Sequence, residues 1–208
     1  MQQGTIYFVV DPMCSWCWGF APVIEEAREK LSGRFALVPV VGGLRSKGEM
    51  VWNDVSKAYL RKQWESVFAR TQQPFEMTIL QKECFEYDTY PACKAVVTVR
   101  QLHGDDAALD YLHTIQEAFY AHGIDITKPR LLYGYYERLF GNSGKFAFMY
   151  ATERMESLMH HDFAKARSMG ATAFPSVVIV DRDGHMVCQK GYRSFEEIEN
   201  LIKEYSHA

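Results

Sequence analysis

The chain has 208 residues, a formal net charge of −3 at pH 7 and 48% hydrophobic residues. That hydrophobic content excludes a disordered protein, and the slightly acidic balance argues against nucleic acid as a partner. Five cysteines are too few for a disulfide scaffold, and their odd number leaves at least one thiol unpaired within the chain. We therefore expect one large domain or one domain that carries an insertion.

The first apolar run, residues 6–10, predicts neither a leader nor a membrane segment. It has five residues, whereas a signal-peptide core has about 7–15 and a membrane span about 20. On this basis we expect a cytoplasmic protein without a membrane partner. In a reducing cytosol a CxxC pair is more often catalytic or metal-binding than a structural disulfide.

The N-terminal region predicts a strand, a helix and a second strand. The β-branched and aromatic run TIYFVV at 5–10 predicts a buried strand that Asp11 and Pro12 end. Apolar residues spaced by four, three and four then predict a helix to about Leu31. The run FALVPVV at 35–41 predicts the second strand. This order has the length of a βαβ unit.

From about Glu49 to Met169 the patterns predict helices and no strand. Helices are expected over 52–71, from Thr89 (as the cap) through Arg100, from Asp105 or Asp106 past Phe119, from Pro129 to about Phe140, and within 143–169. Strands return at 176–180 and, after a D-G turn, at 185–189. Ser194 and Glu197 form the capping box of a last helix.

The strongest chemical signal is the pair Cys14 and Cys17, between the first strand and the first helix. A helix N-terminus has unpaired N–H groups and a partial positive charge, which stabilise the thiolate that attacks disulfides. We expect Cys14 to be exposed and to be the nucleophile, and Cys17 to be buried and to resolve the mixed disulfide. The alternative is half of a zinc site. Because the sequence has no second CxxC and no suitably spaced His pair, we expect no metal.

Three stretches resemble the DsbA-like branch of the thioredoxin superfamily, in its cytoplasmic CSWC-type subgroup. They are DPMCSWCWGFAP at 11–22, YDTYPACKAV at 87–96 and MGATAFPSVVIV at 169–180. The resemblance implies an α/β protein with a thioredoxin-like fold and a large inserted all-helical domain. On that basis residues 1–48 and 170–208 would form the thioredoxin-like domain, and residues 49–169 the insertion.

The resemblance also implies the residues of a site. The two cysteines would carry the catalytic roles given above, and a cis peptide bond before Pro175 would face them. The backbone of Phe174 would pair with a bound substrate strand, and Ser15 and Trp16 would contact the substrate. Because Phe174 is bulkier than the residue usual at this position, we expect its ring to narrow the groove.

Thiol–disulfide exchange on protein or small-molecule disulfides is the activity expected from this resemblance. It needs no cofactor, and glutathione is a candidate redox partner. One alternative is a glutathione-binding enzyme similar to the kappa-class transferases and 2-hydroxychromene-2-carboxylate isomerases, although those usually have Ser in place of Cys14 and lack the second cysteine. The other is a non-catalytic module that delivers regulators to a protease.

The remaining cysteines have structural interpretations. Cys93 is expected to be a small buried residue, with a secondary redox role as the alternative. Cys84 lies in a polar stretch, and a Cys84–Cys93 disulfide is disfavoured in the cytosol. Cys188 is expected to pack within a strand.

Overall fold

Four strands form a single mixed sheet in the computed structural model, which describes residues 3–48 and 50–205. They are β1 (Gly4–Val10), β2 (Phe35–Val41), β3 (Ser176–Asp181) and β4 (Met186–Lys190), in the order β2-β1-β3-β4. β1 is parallel to β2 and antiparallel to β3, and β3 and β4 form an antiparallel hairpin. The parallel pair requires a crossover connection, which a helix supplies.

The helices lie mainly between the second and third strands. They are α1 (Ser15–Leu31), α2 (Asp54–Thr71), α3 (Thr78–Gln81), α4 (Tyr90–His103), α5 (Asp105–Tyr120), α6 (Pro129–Phe140), α7 (Gly144–Tyr150), α8 (Glu153–Ser168) and α9 (Phe195–Tyr205). Because the described residues between β2 and β3 form helices and no strand, the expected α/β fold with a helical insertion is confirmed. The expected domain ends at residues 1, 49 and 208 lie outside the described residues.

Alternation along β1 gives the sheet two buried faces. Ile6, Phe8 and Val10 point into the main core, which includes the apolar face of α1. Val9 points to the opposite face, where it belongs to a smaller apolar cluster with Ala166 of α8. Successive side chains of a strand point to opposite faces, so the apolar run at 6–10 is covered on both sides of the sheet. Within the described residues, no helix is long and apolar enough to cross a membrane.

A buried ion pair holds the helical insertion against β2, the edge strand. Arg100 of α4 and Asp162 of α8 form two hydrogen bonds of 2.8 and 2.7 Å. The Arg100 guanidinium also donates to the carbonyl of Pro39, and the N–H of Val41 donates to Asp162 Oδ2 at 3.2 Å. The pair therefore satisfies backbone groups at the sheet edge that would otherwise be unpaired.

Both expected cap positions are confirmed, but only one of the two residues makes side-chain capping bonds. Ser194 and Glu197 form the expected capping box, with bonds of 2.8 and 3.3 Å. Thr89 is the N-cap residue of α4, but its side chain makes no capping bond. Its hydroxyl instead accepts the N–H of Arg45 at 3.3 Å. This contact joins the β2–α2 loop to the start of α4.

Candidate active site

The two cysteines lie at the junction between β1 and α1. Cys14 is the N-cap residue of this 17-residue helix, with extended backbone angles, and its carbonyl accepts the N–H groups of Cys17 and Trp18 at 2.9 and 3.0 Å. The N–H of Cys14 donates to the carbonyl of Asp11 at 3.1 Å. The sulfur of Cys14 is thus held at the positive end of the helix, where a negative charge is favoured.

Both thiols are shielded from solvent. Cys17 is 0% exposed, as expected, but Cys14 is only 6% exposed, so the expectation that it is exposed is wrong. The cover comes from chain segments distant in sequence, because the carbonyl of Phe174 lies 3.5 Å from the Cys14 sulfur and accepts its thiol hydrogen. Cys14 still reaches solvent through an open cleft, which Leu44 and Tyr59 also line.

The surroundings of Cys17 keep it protonated. Burial raises the pKa of the Cys17 thiol well above its ordinary value, and the hydrogen bond with Cys14, the charge of Cys14 and the charge of Asp11 raise it further. The backbone N–H of Asp11, 3.4 Å from the Cys17 sulfur, acts in the opposite direction. In the reduced protein Cys17 is therefore a thiol at neutral pH.

The segment before β3 forms the other side of the site. The Phe174–Pro175 peptide bond is cis. The ring of Phe174 packs against both apolar clusters and over Gly42, where a Cβ would overlap the end of the ring and lie 2.8 Å from its Cδ1. The Phe174 ring can therefore pack in this position only because residue 42 is a glycine.

A buried carboxylate, Asp11, organises the base of the site. It is 0% exposed, and it accepts the N–H of Met13 at 2.9 Å, the N–H of Leu44 at 2.7 Å and the thiol of Cys93 at 3.5 Å. Burial raises the pKa of Asp11, and these hydrogen bonds partly offset the effect. The sequence marked Asp11 only as the end of a strand, yet it joins the cysteine loop, the β2–α2 loop and α4.

The other cysteines differ from one another in environment. Cys93 is fully buried, as expected, and burial together with the Asp11 carboxylate raises its pKa well above the ordinary value. Cys84 is exposed, and Cys188 is half-buried in β4. All five cysteines are free in the structure.

Aromatic residues fix the cysteine loop from both sides. The Tyr87 hydroxyl donates to the carbonyl of Met13 at 2.7 Å. Trp18 is buried, and its indole N–H donates to the carbonyl of Pro74. Trp16 is half-buried, and its indole donates to Gln63 of α2 at 3.3 Å. The loop is therefore attached to α2 and to the segments that flank α3.

A cleft of about 160 Å³ opens beside Cys14. Four residues expected at the site line it together: Cys14, Ser15, Trp16 and Phe174. The other two expected residues, Cys17 and Pro175, do not line it. The opposite wall consists of the β2–α2 loop and α2, two segments that carried no functional signal in the sequence.

One cluster among the described residues has the composition of a metal site. The potential ligand atoms of Asp181, Asp183 and His185 lie within 4.8 Å of one another at the β3–β4 turn. Asp181 and His185 already pair at 2.9 Å. The cluster lies at the end of β3 opposite to Pro175, so it is not part of the cysteine site.

Comparisons with known proteins agree with this fold. A family model described as thioredoxin matches residues 7–200. Among solved structures, a "putative protein disulfide isomerase" from Nitrosomonas europaea is 28% identical, with a TM-score of 0.89, and the alignment covers 99% of this chain and 98% of that one. The cytosolic disulfide reductase DsbM from Pseudomonas aeruginosa is 22% identical, with a TM-score of 0.77 and coverage of 98% and 100%; it was also solved with GSH.

The curated relatives of this chain are described as protease adapters and not as disulfide enzymes. The ClpXP adapter protein SpxH from Bacillus licheniformis is 24% identical over 203 residues, which are 96% of this chain. This chain spans 66% of the length of that adapter and 42% of the length of the adapter of the same name from Bacillus subtilis. The two sets of relatives thus include both disulfide enzymes and protease adapters.

Proposed function

The chain belongs to the thioredoxin family, whose model matches residues 7–200, and from that premise we propose that it catalyses thiol–disulfide exchange through Cys14 and Cys17. The observation that carries the proposal is the unequal placement of the two sulfurs. Cys14 lines an open cleft at the N-terminus of α1, whereas Cys17 is fully buried and its pKa is raised. This asymmetry suits one attacking and one resolving thiol.

In the first step the Cys14 thiolate attacks one sulfur of a substrate disulfide. The substrate S–S bond breaks, a bond between Cys14 and the substrate forms, and the other substrate sulfur leaves as a thiolate that takes a proton from water. The positive end of α1 favours the attacking thiolate. In this proposal the Phe174 carbonyl, which lies 3.5 Å from the Cys14 sulfur, pairs with the substrate backbone beside the attacked sulfur.

In the second step Cys17 loses its proton and attacks the Cys14 sulfur. The bond between Cys14 and the substrate breaks, a Cys14–Cys17 disulfide forms, and the second substrate sulfur leaves as a thiolate that takes up the proton lost by Cys17, directly or through water. Two electrons have then passed from the protein dithiol to the substrate disulfide. Because the pKa of Cys17 is raised by burial and by the charges around it, Cys17 is protonated when Cys14 attacks, which sets the order of the two steps.

A thiol reductant must return the electrons, and we propose glutathione for this role. In the cytoplasm, where thiols are kept reduced, the net direction would be reduction of the substrate. The likeness to a cytosolic disulfide reductase that was solved with GSH supports the location and the reductant. The isomerase-like alternative is less well supported, because both cysteines are present.

The likeness to the SpxH adapters favours a second candidate, a protein that binds a regulator for delivery to a protease. That similarity extends over 96% of this chain. Such a function would not need turnover at the cysteines. A pull-down partner that is retained equally by the wild-type protein and by a Cys14→Ser, Cys17→Ser variant would support it.

Reduction of a peptide disulfide by the purified protein, with glutathione as the reductant, tests the proposed activity. We expect turnover with the wild-type protein and none with Cys14→Ser. Cys84→Ser is the matched control, because this exposed thiol does not line the cleft, and it should retain the wild-type rate. Turnover that persists in Cys14→Ser would contradict the proposal.

A further inference from the structure

The cleft beside Cys14 has a charge opposite to that of the whole chain. Among the described residues, one residue with an ionic side chain lines it, Arg45. The chain as a whole has a net charge of −3. A ligand in the cleft therefore meets a local positive charge next to the reacting sulfur, which favours a negatively charged group on that ligand.

Arg45 is held in position by bonds to its own backbone. Its N–H donates to the Thr89 hydroxyl at 3.3 Å, and its carbonyl accepts the N–H of Thr89 at 3.2 Å. The N–H of the preceding residue, Leu44, donates to the buried Asp11 at 2.7 Å. The loop that carries Arg45 is thus attached to the same carboxylate that supports the cysteine loop.

The guanidinium of Arg45 has a ring partner but no carboxylate partner. It lies 5.1 Å from the centre of the Tyr87 ring, and the hydroxyl of Tyr87 bonds to the cysteine loop. No Asp or Glu oxygen of residues 3–48 and 50–205 lies within 4 Å of it, whereas Arg28 and Arg100 each have such a partner. With respect to the described residues, its N–H groups are therefore available to a carboxylate from a ligand.

An exposed apolar strip continues from the cleft along α2. Tyr59 lines the cleft and is 51% exposed, and Val55, one helical turn earlier, is 79% exposed. Residues four apart on a helix are neighbours on its surface. Single exposed apolar residues are common on proteins, but here Tyr59 of the pair lines the same cleft as Cys14 and Arg45.

The size of the cleft determines what kind of ligand it fits. Its volume of about 160 Å³ is below the roughly 300–1,000 Å³ of sites that enclose a small ligand. It has room for about one amino-acid residue, and the rest of a ligand must lie on the adjoining surface. That surface is the strip formed by Val55 and Tyr59, so an extended chain fits better than a compact small molecule.

We propose that this site prefers polypeptide disulfides in which an acidic residue lies beside the reacting cysteine and an apolar residue lies farther along the chain. Arg45 binds the carboxylate, and Val55 and Tyr59 contact the apolar side chain. This preference rests on the proposed function. A guanidinium pairs with a carboxylate through two N–H donors, a geometry that lysine does not reproduce.

Matched peptide disulfides test the preference. Two peptides differ only in Glu or Gln next to the cysteine, and two differ only in Leu or Ser four residues away; kcat/KM is measured with dithiothreitol as the reductant. For the wild-type protein we expect the Glu peptide to exceed the Gln peptide by about tenfold, as for one hydrogen-bonded charge. The contrast should fall as the salt concentration rises.

Four variants separate the contributions. Arg45→Gln should bring the ratio of the Glu to the Gln peptide close to one, and Arg45→Lys should restore it only in part. Arg61→Gln, the same change at an exposed position of α2 that does not line the cleft, should leave the ratio as in the wild-type protein. Val55→Ser should reduce the preference for Leu over Ser.

Equal wild-type rates for the Glu and Gln peptides would overturn this inference while the proposed function stands. An unchanged ratio in Arg45→Gln would also overturn it. Glutathione disulfide reduced faster than every peptide would show that a small thiol compound, and not a polypeptide, is the preferred occupant. No turnover with any disulfide would overturn the proposed function and this inference together.

Discussion

Substitution of Gly42 by alanine should disturb the site through Phe174. A Cβ at this position would overlap the far edge of the Phe174 ring and lie 2.8 Å from its Cδ1. The ring packs against both apolar clusters, so it cannot move without losing contacts. Since the Phe174 carbonyl accepts the thiol hydrogen of Cys14, displacement of the ring should also alter catalysis.

The expected loss of stability follows from two opposing terms. Overpacking of a filled site costs about 1–3 kcal/mol. The φ angle of Gly42 is not in the positive region, so the backbone of an alanine is not strained there. Because alanine has less conformational entropy than glycine in the unfolded chain, the substitution also stabilises the protein by roughly 0.4–1 kcal/mol. We therefore expect Gly42→Ala to lower the free energy of unfolding by about 1–2 kcal/mol.

Urea unfolding of four proteins measures this coupling: wild type, Gly42→Ala, Phe174→Ala and the double variant. Removal of the ring removes the overlap, so the double variant should lose less than the sum of the single losses, by at least about 1 kcal/mol. Gly33→Ala is the matched control, because nothing lies within 4 Å of a Cβ there and its φ is not positive. It should be neutral or slightly stabilising.

The kinetic result should follow the same pattern. Gly42→Ala should lower kcat/KM for a peptide disulfide, whereas Gly33→Ala should not. Single losses that simply add in the double variant, or a Gly42→Ala protein as stable and active as the wild type, would refute the reasoning that Phe174 is seated on Gly42.

Two further predictions concern buried carboxylates. Asp11→Asn should lower the pKa of Cys17, because the negative charge that helps to raise it is removed; titration of ¹³C-labelled cysteine by NMR measures this, and an unchanged or higher pKa would contradict it. Asp162→Ala leaves the largely buried Arg100 without its carboxylate partner and should destabilise the protein by about 3–5 kcal/mol in urea. An Arg100→Leu, Asp162→Leu variant should be closer to the wild type, and a loss below about 1 kcal/mol in the single variant would count against the role given to this pair.

The periodic spacing of hydrophobic residues in the sequence was sufficient to predict most of the architecture. The bounds of β2 and α6 match the expected ranges, and all strands and long helices were anticipated. Hydrophobic patterns with a period of two or 3.6 residues are local properties of the sequence, so they can be recognised without knowledge of the tertiary structure. The four-residue helix α3 was missed because one turn is too short to show a period.

The errors share a physical cause, which is contact between residues distant in sequence. The exposure of Cys14 depends on Phe174, and the hydroxyl of Thr89 bonds to Arg45 instead of capping its own helix. The steric need for Gly42 likewise arises from Phe174. No local pattern encodes such contacts.

Part of the site could still have been inferred from sequence. The CxxC pair at the start of a helix identified the two thiols, and the resemblance identified the segment around Pro175. Asp11 carried a weak signal, since an acidic residue directly after a buried strand and three residues before a cysteine is placed at the end of the sheet. The α2 residues that line the cleft carried no signal in the sequence, because the exposed apolar residues of this helix have no distinctive spacing.

Trapping of the mixed disulfide tests the central claim most directly. A Cys17→Ala, Cys84→Ser protein, which lacks the resolving and the exposed thiol, is incubated with a peptide disulfide and mapped by mass spectrometry without reduction. We predict a stable peptide adduct on Cys14, and for Cys84→Ser alone a Cys14–Cys17 disulfide without an adduct. Absence of the adduct, or an adduct on Cys93 or Cys188 in place of Cys14, would contradict the assignment of Cys14 as nucleophile and Cys17 as resolving thiol.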